Sequence, residues 1–309
     1  MVKFFTKRIL CLLLVVWIVS VLAFVMMRLA PGDAAVMALP DYASEAQIEA
    51  MRAKLGLDKP YITQYLMYLG NLLKGDLGTS VLYEKPCLDV IMERLPATLS
   101  VTIVCSALVL IISIPLGIIA GVNKGGPVDF FAVLFALLGQ SMSVVWICVL
   151  LLLLCSVKHN WLPSMGYNGL FDVKYLIMPA IAMGYKMCAG MVRMGRSGMI
   201  DVLNEDYITC AYARGLSRFE VNCKYAFKNS IIPVITLFGM DVAAMLAGAV
   251  IIETTFTIPG IGSMLVKAVS NRDYPLTQST LVVTAAMFAI VNLVVDIVNA
   301  FIDRRMKLN

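Results

Sequence analysis

The sequence has 309 residues, of which 60% are hydrophobic and only 15% are charged, and its formal net charge is +5. Soluble domains are closer to half apolar and a quarter charged, so the composition excludes an ordinary soluble globular protein. The weak alternating pattern of an outer-membrane barrel is absent. Membrane topology accounts for the positive charge, and no nucleic-acid partner is needed to explain it.

Six apolar runs approach or exceed the roughly 20 residues that a helix needs to cross a bilayer. They cover about 9–29, 98–122, 130–155, 175–195, 231–252 and 279–302. We therefore predict an all-α integral membrane protein with six transmembrane helices. The first run follows Lys3, Lys7 and Arg8. Because its apolar core is too long for a signal peptide, we predict that it is a retained helix.

Basic residues are concentrated in the segments that are cytoplasmic if the N-terminus is inside. By contrast, the loops after the third and fifth runs carry only Lys158, Lys174, Lys267 and Arg272. This is the positive-inside pattern, which predicts that both termini are cytoplasmic.

The chain order suggests three parts. Residues 1–29 form the N-terminal transmembrane helix, residues 30–97 an extracytoplasmic helical segment, and residues 98–309 a five-helix core. A polar cytoplasmic loop at 200–230 interrupts that core. Of the eight cysteines, only Cys87 is placed clearly outside by this division.

The extracytoplasmic segment contains recognisable helix signals. Ser44 and Gln47 have the spacing of a capping box, and Gly56 follows the helix that they begin. The aromatic residues Tyr61 and Tyr65 then recur at helical spacing, which is typical of a membrane interface. We expect a small helical subdomain that lies on the outer leaflet.

Three residues within the apolar runs are candidates for a translocation pathway. Ser141 and Ser143 belong to a stretch of small residues that allows membrane helices to approach closely. Asp241 is an ionisable residue within an apolar run, where its burial is costly and suggests a function. A structural hydrogen bond to a neighbouring helix is the alternative role for Asp241.

The sequence has no pattern that indicates catalysis. It has no G-x-x-x-x-G-K-[ST] phosphate loop, no Cys-x-x-Cys spacing, and a single histidine, His159. No nucleophile–base pair is visible. We therefore expect no ATP site, no metal site, no cofactor and no catalytic residue in this chain.

The stretch "EDYITCAYARGLSRFE", residues 205–220, predicts two short helices that meet at a corner. Asn204 is the expected N-cap of the first helix, and Gly215 is the expected left-handed residue at its end. Ser217 and Glu220 have capping-box spacing and should begin a second helix, which we expect to run to about Asn229. A helix as short as the first is marginal alone, so we predict that a cytoplasmic partner packs on it.

The motifs of the chain resemble those of ABC-transporter permeases of the peptide and nickel branch. "EDYITCAYARGLS" is similar to the cytoplasmic EAA-type loop of that family. Six further motifs stand in family order along nearly the whole chain, and they are "RLAPGD", "LGLDKP", "ERLPATL", "WLPSMGY", "IIETTFTIPGIG" and "NRDYP". Ser143 departs from the family pattern, which often has proline there.

The resemblance implies a type I importer fold and a set of partners. These are a second homologous permease subunit, two ABC ATPase subunits, an extracytoplasmic substrate-binding protein and the lipid bilayer of the cytoplasmic (inner) membrane. It also implies that the loop couples the permease to the ATPase. The coupling residues would be Glu205, Asp206, Tyr207, Ala211, Ala213, Arg214, Gly215, Leu216 and Ser217.

Three functions remain open from the sequence. The first is the permease subunit of an ATP-driven importer of di- or oligopeptides. The second is the same architecture importing nickel or a nickel chelate. The third is a standalone ion channel or proton-coupled carrier, which predicts ionisable residues along several helices and needs no docking corner.

Overall fold

Long apolar segments dictate the architecture, because a backbone within a bilayer must satisfy its own hydrogen bonds and does so most simply as a helix. A computed structural model describes residues 2–29, 34–37, 39, 43–54, 56–170 and 172–302. Within these ranges the chain is helical and contains no strand, apart from an isolated bridge between Thr79 and Pro86. The predicted all-α membrane protein is confirmed.

The helices are numbered in chain order. They are α1 (Val2–Leu29), α2 (Ala34–Met37), α3 (Glu45–Lys54), α4 (Tyr61–Leu73), α5 (Cys87–Val122), α6 (Pro127–Ser141), α7 (Val144–Leu151), α8 (Val173–Leu203), α9 (Asp206–Ala213), α10 (Arg218–Glu220), α11 (Phe227–Gly248), α12 (Val250–Thr255), α13 (Ile261–Ser270) and α14 (Tyr274–Ile302). Leu152–Lys158 and Val221–Ala226 are π-helical segments. Pro31–Asp33 of the "RLAPGD" motif and the basic residues Arg304, Arg305 and Lys307 lie outside the described residues.

Five helices in the described part of the chain are long and apolar enough to cross a membrane, and a bent pair makes a sixth if it counts as one span. The bent pair is Pro127–Ser141 with Val144–Lys158, and its two halves make an angle of 104°. The predicted continuous third span, 130–155, is therefore wrong in detail. The break falls at Met142 and Ser143, whose backbones are extended, with ψ near 136° and 139°.

The chain separates into two compact units. The first comprises Met1–Thr98 and Pro259–Ile290, and the second comprises Leu99–Ile258 and Val291–Asn309. The predicted division into 1–29, 30–97 and 98–309 stays a prediction.

The core of the first unit joins the start of α5 to α13 and α14. Its fully buried members are Cys87, Val90, Ile91, Ile261, Met264, Ala268 and Leu276. Cys87 was expected to be accessible outside, and that expectation is wrong, because its side chain is 0% exposed. The capping box of Ser44 and Gln47 is confirmed, since the Ser44 backbone N–H donates to Gln47 Oε1 over 2.9 Å.

The segment before α14 is held to the first unit by a buried carboxylate. Asp273 accepts hydrogen bonds from the Ser80 hydroxyl, the Leu82 backbone N–H and the Leu276 backbone N–H. Its side chain is 1% exposed, so these donors replace the water that the carboxylate loses. Asp273 therefore has a structural role as the N-terminal cap of α14.

In the second unit, glycines let α5 and α6 approach α8 closely. A Cβ atom at Gly121 would lie 2.6 Å from Met199 Cβ, and one at Gly139 would lie 2.6 Å from Ala189 Cβ. Both distances are too short for a side chain, so each site requires glycine. Gly139 belongs to the stretch of small residues around Ser141 and Ser143, so the close approach predicted for that stretch is confirmed at Gly139.

Candidate functional site

The corner begins where α8 ends. Asn204 closes α8 as its C-cap, and the extended residue before α9 is Glu205, with φ −76° and ψ 146°. The prediction that Asn204 is the N-cap is therefore wrong by one residue. Glu205 makes no side-chain capping bond, but it and Asp206 place negative charge at the positive end of α9.

Helix α9 has one buried face and one exposed face. Ile208 and Ala211 are 1% and 5% exposed and pack against Met199, Val221 and Ala226. The opposite face presents Asp206, Tyr207, Thr209, Cys210, Tyr212 and Ala213. Two aromatic rings on a helix of eight residues thus remain open to a partner.

The end of α9 is a left-handed turn. Gly215 has φ +82°, and its N–H donates to the Tyr212 carbonyl oxygen over 2.9 Å. A Cβ atom there would meet nothing within 4 Å, so glycine is required by backbone conformation and not by space. Arg214 is the exposed C-cap residue. The prediction for Gly215 from the sequence is confirmed.

The second arm of the corner is continuous with a membrane span. Ser217 and Glu220 form the predicted capping box, and the Ser217 hydroxyl donates to Glu220 Oε2 over 2.9 Å. Helical structure then runs from Arg218 through the π-segment Val221–Ala226 into α11. The expectation that this arm ends near Asn229 is therefore wrong.

Two contacts fix the angle between the arms. Asn229 Nδ2 donates to the Tyr207 hydroxyl oxygen over 2.8 Å, which joins α11 to α9. Leu216 is half-buried and packs beside Ile208 in the cluster under the corner. The two arms are therefore joined both by this hydrogen bond and by this buried cluster.

The candidate pathway residues lie on two different parts of the second unit. Ser141 ends α6 and donates its hydroxyl proton to the Leu137 carbonyl oxygen over 2.8 Å, while Ser143 precedes α7 at the break. Asp241 is half-buried in α11. Among the described residues, its carboxylate makes no hydrogen bond, so the alternative role, a structural bond to a neighbouring helix, is not observed.

Sequence reasoning missed an ion pair between α6 and α8. Both oxygens of Asp129 accept from Arg196, and Arg196 Nη2 lies 2.9 Å from Asp129 Oδ2. The Gly125 backbone N–H donates to the same oxygen over 2.8 Å. Asp129 in the first turn after Pro127 marks a helix start, but no local pattern connects it to Arg196, which lies 67 positions later.

The described residues contain no group of three or more His, Cys, Asp or Glu side chains that could hold a metal ion. The remaining features of the site are a corner with exposed aromatic rings, a span continuous with it, and small or polar residues within the spans.

Comparison with known proteins identifies the family. Residues 113–308 match the family described as "Binding-protein-dependent transport system inner membrane component", and residues 1–102 match the N-terminal region described for the same systems. The chain belongs to this family. It is thus a multi-pass inner-membrane permease component of a binding-protein-dependent ABC importer, and the standalone-channel alternative is not favoured.

The permease is also similar to curated proteins along nearly its whole length. It is 35% identical over 297 residues to the oligopeptide transport system permease protein AppB of Bacillus subtilis, with 94% of each chain covered. It is 34% identical to the dipeptide transport system permease protein DppB of Alkalihalophilus pseudofirmus, covering 99% of this chain and 100% of that one. It is 35% identical to the glutathione transport system permease protein GsiC of Pectobacterium atrosepticum, with 98% of each chain covered. These relatives are transport permeases and not enzymes.

Proposed function

We propose that this permease imports di- or oligopeptides and forms half of a translocation pathway with a second, homologous permease subunit. Three of its relatives carry the words oligopeptide, dipeptide and glutathione in their names. Glutathione is itself a small peptide, so the three names agree on a substrate class. Nickel or a nickel chelate is the less favoured alternative.

Transport would be driven by two ABC ATPase subunits on the cytoplasmic side, with an extracytoplasmic binding protein delivering the substrate. The exposed face of the corner supports the proposed contact with the ATPase subunits. It offers Tyr207 and Tyr212, each 40% exposed, beside the charged residues Asp206 and Arg214. The buried face is fixed to the cluster below, so α9 presents a surface that can seat in a partner and transmit its motion.

The same proposal fixes the orientation. Both termini and the corner would be cytoplasmic, as the distribution of Lys and Arg indicates. Coupling would involve Glu205, Asp206, Tyr207, Ala211, Ala213, Arg214, Gly215, Leu216 and Ser217. Ala211 is buried, so its part would be to hold α9 on the cluster, whereas the exposed residues would contact the ATPase.

The substitution Gly215→Val tests the coupling. A β-branched residue at φ +82° is strained by about 1–2 kcal/mol, yet no atom obstructs its side chain. We expect the variant to insert normally but to lose transport-coupled ATP hydrolysis and to release ATPase subunits on purification.

The matched control for that test is Gly75→Val. Gly75 has φ +81° and equally open surroundings, but it lies after α4 and far from the corner in sequence. Gly75→Val imposes the same backbone strain as Gly215→Val. Because it does so away from the corner, it should leave the coupling of ATP hydrolysis to transport intact. Wild-type peptide uptake by Gly215→Val would contradict the docking role, whereas uptake of labelled nickel but not labelled dipeptide by the wild type would contradict the peptide substrate.

A further inference from the structure

Helix α8 carries a lysine near the middle of a membrane span. A helix of 31 residues is about 46 Å long, whereas the hydrocarbon core of a bilayer is about 30 Å thick. Lys186 lies about 20 Å along the helix from Val173 and about 26 Å from Leu203. If α8 crosses the whole core, Lys186 therefore lies within the hydrocarbon layer, whichever end of the helix protrudes.

The side chain of Lys186 is exposed, and within the described part of the chain it forms no ion pair. Three neighbouring helices cover other faces of α8. Helix α6 packs against Ala189, and a Cβ atom at Gly184 or Gly198 would lie 2.9 Å from α5 or 3.1 Å from α11. Lys186 lies on the face that none of these three helices covers.

Polar residues continue this uncovered face toward the corner. Arg193 and Ser197 follow Lys186 at intervals of seven and four residues, which places all three on one side of the helix. All three are exposed. By contrast, Arg196 lies on the side that packs against α6, where Asp129 compensates its charge. The uncovered face is thus positively charged.

Acyl chains are a poor neighbour for such a face. An ammonium group in hydrocarbon is so costly that ionisable residues of membrane spans almost always face a bundle interior or a water-filled cavity. The span Val173–Leu203 is also the least apolar of the five continuous spans in the described chain. The uncovered face of α8 therefore meets water or an anionic group.

A carboxylate lies at the same depth on the neighbouring helix. Helix α11 runs back along α8 from the corner, and a Cβ atom at Gly190 would lie 3.8 Å from Leu237 Cδ2. One turn further from the corner, α8 carries Lys186 and α11 carries Asp241. Within the described chain these two residues form no ion pair with each other. Charges of both signs are therefore available at one depth.

We propose that Lys186 lines the translocation pathway and binds the terminal carboxylate of the transported peptide. This inference rests on the proposed import of peptides and names the substrate group that the permease itself recognises. The ammonium group donates charge-assisted hydrogen bonds to the carboxylate oxygens. Asp241, at the same depth, offers the complementary charge for the amino terminus. Arg193 is the next cation along the path, about 10 Å nearer the corner.

The test uses the complete importer in proteoliposomes, with its binding protein and ATPase subunits. The two probes are labelled dialanine and its C-terminal amide, which lacks the carboxylate. Lys186→Gln removes the charge, and Lys186→Arg keeps it. Lys174→Gln is the matched control, because Lys174 is an exposed lysine in the first turn of the same helix. The same binding protein serves every measurement, so its own preference cancels when variants are compared.

We expect Lys186→Gln to lower the uptake of dialanine about tenfold and to change the uptake of the amide by less than about twofold. Lys186→Arg and Lys174→Gln should keep the preference of the wild type for dialanine. The Lys186→Gln complex should purify with all its subunits and unfold at the wild-type temperature, because no side chain of the permease loses a bond. An equal fall in the uptake of both probes, or loss of the second permease subunit, would overturn the inference.

The variant Lys186→Cys gives a second measurement that does not depend on transport of the amide. A hydrophilic methanethiosulfonate should modify the new thiol in the assembled complex, and dialanine should slow the reaction. Peptide mapping separates this thiol from the exposed Cys210 and Cys223. An unreactive thiol, or no protection by dialanine, would overturn the inference even if the wild type imports dialanine. A reactive thiol in an importer that carries neither probe would instead contradict the proposed peptide substrate.

Discussion

The carboxylates of Asp273 and Asp241 differ in their hydrogen bonds, and this difference distinguishes a structural residue from a candidate functional one. Asp273 is 1% exposed and accepts three hydrogen bonds, so its charge is compensated in place. Asp241 is half-buried in α11, and within the described chain it has no hydrogen-bond donor of its own. A carboxylate kept in a membrane span without a partner is available to a substrate.

The substitution Asp241→Asn should lower peptide uptake several-fold while the purified complex keeps its subunits. The amide preserves the volume of the side chain but removes the charge that would meet a substrate ammonium group or ordered water. Initial rates of labelled dipeptide uptake, compared at equal expression, measure the effect. Asp89→Asn, which changes an exposed carboxylate in α5, serves as control. Normal uptake by Asp241→Asn would assign Asp241 to a role outside the pathway.

Single residues were well predicted at the corner because their signals are local. The left-handed conformation at Gly215 and the capping box of Ser217 and Glu220 depend on residues within four positions of each other. Asn204 has the better N-cap side chain, but α8 extends to Leu203, so Asn204 closes α8 and Glu205 takes the position before α9 without a capping bond. That extension is a tertiary effect, since α8 packs along its length.

At the scale of helices, the capping box of Ser217 and Glu220 should determine the stability of the second arm of the corner. Replacing Ser217 with alanine removes the acceptor for the Glu220 N–H and costs about 1 kcal/mol in helix stability. We expect faster hydrogen exchange in 217–226 and a partial loss of coupled ATP hydrolysis.

The capping box of α3 provides the matched control for that variant. Ser44→Ala removes the same kind of bond, between the Gln47 N–H and the Ser44 hydroxyl oxygen, at a site distant in sequence from the corner. Its coupled ATP hydrolysis should equal that of the wild type. An identical loss of coupling in both variants would show that general destabilisation, and not the corner, is responsible.

Helix existence was predictable, but two helix boundaries were not. The apolar run at 130–155 is interrupted only by the short stretch 139–143, and small or polar residues of that kind also occur within continuous membrane helices, so they did not reveal the break at Met142 and Ser143. The helix expected to end near Asn229 instead continues through α11, with Pro233 in its interior. Proline is tolerated within membrane helices because neighbouring groups satisfy the freed carbonyl.

At the scale of the whole molecule, the remaining prediction concerns topology. Cys210 and Cys223 are exposed at the corner, whereas Cys87 is buried and cannot report on the outside. Leu170→Cys supplies an outside reporter, because Leu170 is 57% exposed in the loop before α8.

A membrane-impermeant maleimide added to intact cells should label Leu170→Cys, and it should label Cys210 and Cys223 only after the membrane is opened. Peptide mapping by mass spectrometry identifies each labelled thiol. The comparison requires that the corner be free of its partner, so it is made in cells that lack the ATPase subunits. Labelling of Cys210 and Leu170→Cys from the same side would contradict the proposed orientation.

The π-segment Val221–Ala226 has a consequence for how the sequence of this region can change. A π-turn holds one more residue than an α-turn, so a deletion of one residue would restore α geometry. The corner would then rotate by about 100° about the axis of α11 and shift by about 1.5 Å along it. Its aromatic face would point away from any partner that it had faced before. Alignments of natural relatives should therefore vary in residue identity between Gly215 and Pro233 but contain no gaps there.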